Sequence, residues 1–122
     1  MEKRKTTPGS AKALTIKDLQ AAVDRWIKTY GVRYFSEMTN LAVLMEEVGE
    51  LARIMSRTYG EQSFKDRPTK SDLADEIADV LFVLVCIANQ TGVDLDAAVL
   101  RNLKKKTDRD STRHRNNPKL NA

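Results

Sequence analysis

Residues 73–88 read LADEIADVLFVLVCIA, and this stretch decides the fold. Ile77, Val80, Leu81, Phe82, Val83, Leu84, Val85, Cys86, Ile87 and Ala88 run through every angular position of a helix. A helix that is apolar all round is buried on all sides. No segment elsewhere alternates with period two for long enough to form a sheet, so the chain reads as all-α. Three further helices follow from periodicity and caps. The first runs from Thr15 through Ile16, Leu19, Val23, Trp26, Ile27 and Tyr30, with Gly31 as its expected left-handed stop. The second starts between Ser36 and Asn40 and ends at Tyr59-Gly60. The third, containing the opening stretch, starts at Ser71 and ends near Thr91-Gly92. The fourth is capped by Asp94 and runs to about Lys106. Three helices of a short chain scarcely surround the third, so a four-helix bundle assembled as a homo-oligomer is expected, a dimer or a tetramer.

The chain of 122 residues has the length of one domain, with 41% hydrophobic and 31% charged residues. Residues 1–14, interrupted by Pro8-Gly9, read as a flexible leader, 15–110 as the domain, and 111–122 as a basic polar tail. The net charge of +4 belongs to the ends: residues 101–122 hold eight basic and two acidic side chains, leaving an acidic body. The apolar run Val80–Ala88 is far below the ~18 residues of a membrane span. No apolar signal core stands at the N-terminus, and Cys86 has no intrachain partner for a disulfide, so a cytoplasmic protein without a membrane partner is expected. With His114 as the single histidine, placed in the tail, the chemistry falls to carboxylates.

Those carboxylates are patterned. Glu47 and Glu50 lie three apart on the second helix, as do Glu76 and Asp79 on the third, so each pair projects from one face. The main apolar stripe of the second helix is Leu41, Leu44, Met45, Val48, Leu51, Ala52 and Met55, and the acids sit off it in a second row with Val43 and Ile54. Glu76 and Asp79 share their face with Val83 and Ile87. Glutamate-rich helix faces are ordinarily solvated surface. Carboxylates flanked by apolar side chains instead need neutralising, and Arg53 and Arg57 are too few for four acids. A hard divalent cation, Mg²⁺ or Mn²⁺, meets that need and leaves room for phosphate oxygens. Two facing antiparallel helices would bring all four acids to one centre.

The string Glu47-Val-Gly-Glu50, then 25 residues, then Glu76-Ile-Ala-Asp79 resembles the E-x-x-E…E-x-x-D signature of MazG-like all-α nucleotide pyrophosphohydrolases. Residues 41–57 (LAVLMEEVGELARIMSR) and 73–98 (LADEIADVLFVLVCIANQTGVDLDAA) are similar to that family's core helices. The likeness spans residues 15–110 and is to single-domain members. It implies a Mg²⁺-dependent hydrolase that cleaves a nucleoside triphosphate between its α and β phosphates, giving monophosphate and pyrophosphate. It further implies an oligomer, metal ligation by Glu47, Glu50, Glu76 and Asp79, and housecleaning of nucleotide pools. Glu46, beside the ligands, is then the candidate base, with a solvent-facing residue as its plain alternative. Asn102, Lys105, Lys106 and Arg109 share a face of the fourth helix and resemble the segment that contacts phosphates in related enzymes; Lys65 and Arg67 are weaker candidates. The aromatic position that some deoxycytidine- and deoxyuridine-directed relatives place four residues after the last acid is Val83 here, so base preference is not transferable. Trp26 and Tyr30 are suited to stacking on a base, but their spacing assigns Trp26 to the core. A second class of function stays open: a non-enzymatic helical module whose basic ends bind nucleic acid.

Overall fold

The computed structural model describes residues 13–63 and 70–121. Lys65, Arg67 and residues 1–12 of the expected leader lie outside the described residues. Four α-helices are present, with no strand among the described residues: α1 (Ile16–Trp26), α2 (Glu37–Tyr59), α3 (Lys70–Thr91) and α4 (Leu95–Asp110). Each cap has a local cause. Thr15 and Asp18 form a reciprocal capping box, Thr15 Oγ1 accepting from Asp18 N at 3.0 Å and Asp18 Oδ2 from Thr15 N at 3.2 Å. Ser36 Oγ accepts from Thr39 N at 3.2 Å, and Asp94 Oδ1 from Ala97 N at 3.4 Å. At the end of α2, a Cβ on Gly60 would collide with the Ser56 carbonyl oxygen, so glycine is needed there for close approach. Gly92, at φ +75°, ends α3 in the left-handed conformation, and α4 leaves at 108° to it. After Asp110 the tail continues in turns, held where Asn121 Nδ2 donates to the carbonyls of Arg115 and Asn117. No single helix among the described residues is long and apolar enough to cross a membrane.

The end of α1 departs from the sequence reading. Instead of stopping at Gly31 in a left-handed turn, the helix widens into a π turn over Ile27–Gly31, and Val32 takes the positive φ of 71°. A β-branched residue in that region is strained by about 1–3 kcal/mol, so the surrounding contacts must hold it there. They are specific. Tyr34 Oη donates to Asp24 Oδ1 at 2.6 Å and accepts from Asn89 Nδ2 at 3.1 Å. Asn89 Nδ2 also donates to the Gln20 carbonyl at 2.9 Å, while Gln20 Nε2 donates to Asn89 Oδ1 at 3.0 Å. Gln20 Oε1 accepts from Leu95 N at 2.9 Å, tying the start of α4 to the same knot.

The core is small: Val23, Ile27, Val85 and Cys86 are buried together, with Leu19, Tyr34, Phe82 and Leu95 packed around them. Trp26 is not in it. The face of α1 turned inward is Leu19, Val23 and Ile27, which leaves Trp26 at its edge, 49% exposed and packed edge-on against Phe82 at 5.5 Å. The two faces of α2 are also distributed unexpectedly. The second row, with Val43 and Glu47 half-buried and Ile54 buried, is covered, whereas most of the main stripe is open, Leu44 and Leu51 being half-buried and Met45 66% exposed. On α3, Ile77, Leu81 and Leu84 are similarly uncovered, but Val85 is fully buried within the chain.

Because Val85 belongs to the intrachain core, Val85→Ala should remove about 2–3 kcal/mol of stability through lost burial and a residual cavity. Urea unfolding followed by circular dichroism checks this, and an unchanged midpoint would mean that the core collapses around the deletion. A charge at this position, as in Val85→Asp, should unfold the chain rather than only separate its copies.

Candidate active site

α2 and α3 run antiparallel, with Asn40 near Gln90 at one end and Glu47 against Glu76 and Asp79 further along. Their spacings of three then place both acid pairs along the shared seam. Glu47, Glu76 and Asp79 each offer a carboxylate oxygen, all within 4.8 Å of one another. Glu47 and Glu76 are half-buried, and Asp79 is exposed. Burial first, then repulsion from Asp79 and its neighbours, raises the pKa of both Glu47 and Glu76. Glu76 Oε2 is sealed from solvent and has no hydrogen-bond partner among the described residues. Glu50 lies close enough to add to the repulsion at both glutamates, but its Oε2 accepts from Arg53 Nε at 3.3 Å. Glu46 is exposed beside Glu47.

Three clustered carboxylate oxygens, on residues that include Glu76 with its unpartnered Oε2, form a hard, anionic donor set suited to a Mg²⁺- or Mn²⁺-sized cation. The acids also open onto a pocket of about 340 Å³. Glu47 and Asp79 form one side; the walls are largely apolar, from Trp26, Ile27, Phe35, Val43, Phe82 and Val83. Burial pushes the Cys86 thiol upward, so this wall residue is a neutral packing group rather than a nucleophile. Tyr34, also in the wall, is pushed up to about 12 by burial and by its bond to Asp24, so it stays a neutral phenol.

The pocket was only half visible in the sequence. Arg33, Tyr34, Phe35 and Asn40 line it, and none of them falls in a periodic pattern or an acidic motif. Their signal is the break itself, a connection of ten residues between α1 and α2 that carries an arginine and three aromatics. By contrast, Asn102, Lys105, Lys106 and Arg109 are exposed on α4 and do not line this pocket. Arg109 is engaged by its neighbour, with Nη2 to Asp110 Oδ2 at 2.7 Å. Lys106 borders a shallow depression with Asp110 and His114 instead.

Residues 35–114 match the MazG nucleotide pyrophosphohydrolase domain, and this range contains both acid pairs. The chain belongs to the MazG family. It is accordingly an enzyme, a hydrolase of the nucleotide pyrophosphohydrolase kind. YpjD, an uncharacterised protein of Bacillus subtilis strain 168, is 44% identical over 99 residues, covering 81% of this chain and 89% of YpjD. A crystal structure of YpjD superposes with a TM-score of 0.71 over 77% of this chain and 96% of that one, at 44% identity. The crystal structure of a Bacillus-conserved MazG protein, described as a nucleotide pyrophosphohydrolase, gives a TM-score of 0.67 at 38% identity, over 77% of this chain and 90% of its own. The MazG match begins at Phe35, so the π turn, Arg33 and Tyr34 precede it.

The acid cluster opposes folding in the metal-free chain. Glu47 and Glu76 have folded pKa values above the ordinary 4.5, so the folded state binds more protons than the unfolded one in that window. Stability therefore falls as pH rises through the folded values, and lowering pH from 7 toward 5 should raise the Tm of the metal-free protein. Glu76→Gln should raise Tm at pH 7 and flatten this dependence. Mg²⁺ at a hundred times its Kd should stabilise the wild type by about 2.7 kcal/mol, and the variant much less. Differential scanning fluorimetry with and without EDTA measures all three; equal Mg²⁺ shifts for the two proteins would remove Glu76 from the metal site.

Proposed function

We propose that this MazG enzyme hydrolyses nucleoside triphosphates, ribo or deoxy, between the α and β phosphates, releasing monophosphate and pyrophosphate. The observation that carries the reading is the set of Glu47, Glu76 and Asp79 oxygens at the acidic side of an apolar pocket, with Glu76 Oε2 left without a partner. Glu47, Glu50, Glu76 and Asp79 are the residues that would hold Mg²⁺, or Mn²⁺ in its place, Glu50 giving up Arg53 to do so. A divalent cation there supplies positive charge against the polyphosphate and acidifies water for attack on phosphorus. Glu46, solvent-facing and adjacent to Glu47, would serve as the base that accepts a proton from the attacking water. The apolar walls hold the nucleoside and exclude bulk water, and Arg33 meets phosphate oxygens. Housecleaning of nucleotide pools in the cytoplasm is the role this reaction implies.

The active unit is a homo-oligomer. Leu41, Met45 and Val48 of α2 and Ile77, Leu81 and Leu84 of α3 are all left exposed, a surplus of apolar surface that a second copy would cover. α4 packs on α1 rather than over the acids, so Asn102, Lys105, Lys106 and Arg109 can bind phosphate only if a second copy delivers them.

Incubating a panel of nucleoside triphosphates with Mg²⁺ should yield pyrophosphate and monophosphate in equal amounts. Glu47→Gln and Glu76→Gln should each lower kcat on the order of 100-fold or more with helicity intact. Release of orthophosphate alone would overturn the reading. For assembly, light scattering of the wild type should show a species larger than 13.8 kDa, and Met45→Glu should shift it toward the monomer and reduce turnover. A compact wild-type monomer with full activity would sink the assembly claim.

A further inference from the structure

One polar side chain in the pocket wall has no place in the chemistry above. Asn40 is 5% exposed, lies near the start of α2 and lines the pocket. Its Nδ2 donates to Gln90 Oε1 at 2.7 Å, and Gln90 Nε2 donates to the Phe35 carbonyl oxygen at 2.8 Å. This chain of bonds has a fixed direction. A backbone carbonyl only accepts, so it admits only the NH₂ end of Gln90; that turns Gln90 Oε1 to Asn40, which must answer with its own NH₂. The group left over is Asn40 Oδ1, an acceptor with no partner among the described residues. Nor is it sealed away, since Glu76 Oε2 is the one enclosed, unpartnered side-chain oxygen among them. Asn40 Oδ1 is therefore an accessible, unpartnered acceptor on a residue that lines the pocket.

Position adds a second constraint. Asn40 precedes Glu47 by seven residues, roughly 10 Å along the axis of α2. A nucleotide with its phosphates at Glu47 and Asp79 spans that distance with its base toward Asn40. Val43 and Val83 line the space between, and Phe82 packs edge-on with Trp26 beside it. In such apolar surroundings a mismatched polar group is rejected strongly, because it leaves an unsatisfied partner.

We propose that Asn40 Oδ1, held as an acceptor by Gln90 and the Phe35 carbonyl, reads the nucleobase and selects an exocyclic amino group over a keto oxygen. Cytosine is thus preferred to uracil, and adenine to hypoxanthine. The proposal rests on the nucleoside triphosphate reading above and names its substrate class. A keto oxygen would face Asn40 Oδ1 oxygen to oxygen, and Asn40 cannot flip without turning Gln90 Oε1 onto the Phe35 carbonyl. Gln90 is a positioning residue here; Asn40 is the reading residue.

The test is calorimetric binding of the α,β-imido analogues of CTP, UTP, ATP and ITP to the full chain with Mg²⁺. The amino member of each pair should bind about tenfold tighter or more. The 2-pyrimidinone counterpart of the cytidine analogue, which lacks the amino group, should lose the same factor on the unaltered protein. In Gln90→Met, Asn40 is free to rotate, and the amino-to-keto ratio should fall toward one because keto binding improves. A merely structural role for the pair would weaken both members alike. Equal binding of amino and keto members by the wild type, or a ratio unmoved in Gln90→Met, would overturn the proposal. Base preference without hydrolysis of CTP or ATP would overturn the pyrophosphohydrolase reading and leave this one standing. Hydrolysis without preference would do the reverse, and failure to bind any analogue would remove both.

Discussion

The repulsion among carboxylates on the α2–α3 seam is the constraint around which the remaining structure is arranged. Glu47, Glu76 and Asp79 crowd together where apolar side chains exclude water, and Glu76 Oε2 is sealed without a donor. Such an arrangement weakens a fold, so the stability must come from elsewhere. It comes from the far end of the same helices. There Val23, Ile27, Val85 and Cys86 pack, and Gln20, Asn89 and Tyr34 bind α1, the π turn and the start of α4 into one knot. The bundle thus has a secure end and a strained end, and the pocket lies along its length between them.

The sequence made the strained end legible and left the pocket wall obscure. Spacings of three put Glu47 with Glu50 and Glu76 with Asp79 on common faces, and apolar flanks marked them as more than surface charge. The caps at Thr15 and Asp94 are readable because each is a local hydrogen bond, while Ser36 is the first residue of the range expected for the start of α2. Periodicity fails at residues 27–35 because the chain leaves the 3.6-residue repeat, and the helix widens before Val32 reverses it. The placing of Trp26 in the core fails for a different reason: spacing gives a common face but not its rotation toward the core. The end of α4 at Asp110, beyond the expected Lys106, has no stop signal in sequence, only exposed residues that continue the helix.

The stripes of α2 carry a related lesson. The row of Leu41, Met45 and Val48 is the more continuously apolar, yet the row of Val43 and Ile54, interrupted by Glu47, is the one α3 covers within the chain. A purely apolar row is interchangeable between partners, whereas a row carrying acids fits only a surface that completes their chemistry. α2 is therefore packed on α3 through the row that carries its acids, against their repulsion, and is left with a surplus apolar face.

The connection from Trp26 to Phe35 has a consequence for how this protein diverges from its relatives. It supplies one side of the pocket from a short, contiguous stretch, anchored at its ends by Ile27 in the core and by Tyr34 on Asp24 and Asn89. The acids stand on other helices and owe it none of their ligand oxygens. Substitutions at Phe35 alter the shape offered to a substrate without touching the hydrolytic apparatus. Selection can retune the guest list of such an enzyme in small steps, each passing through a folded and active intermediate.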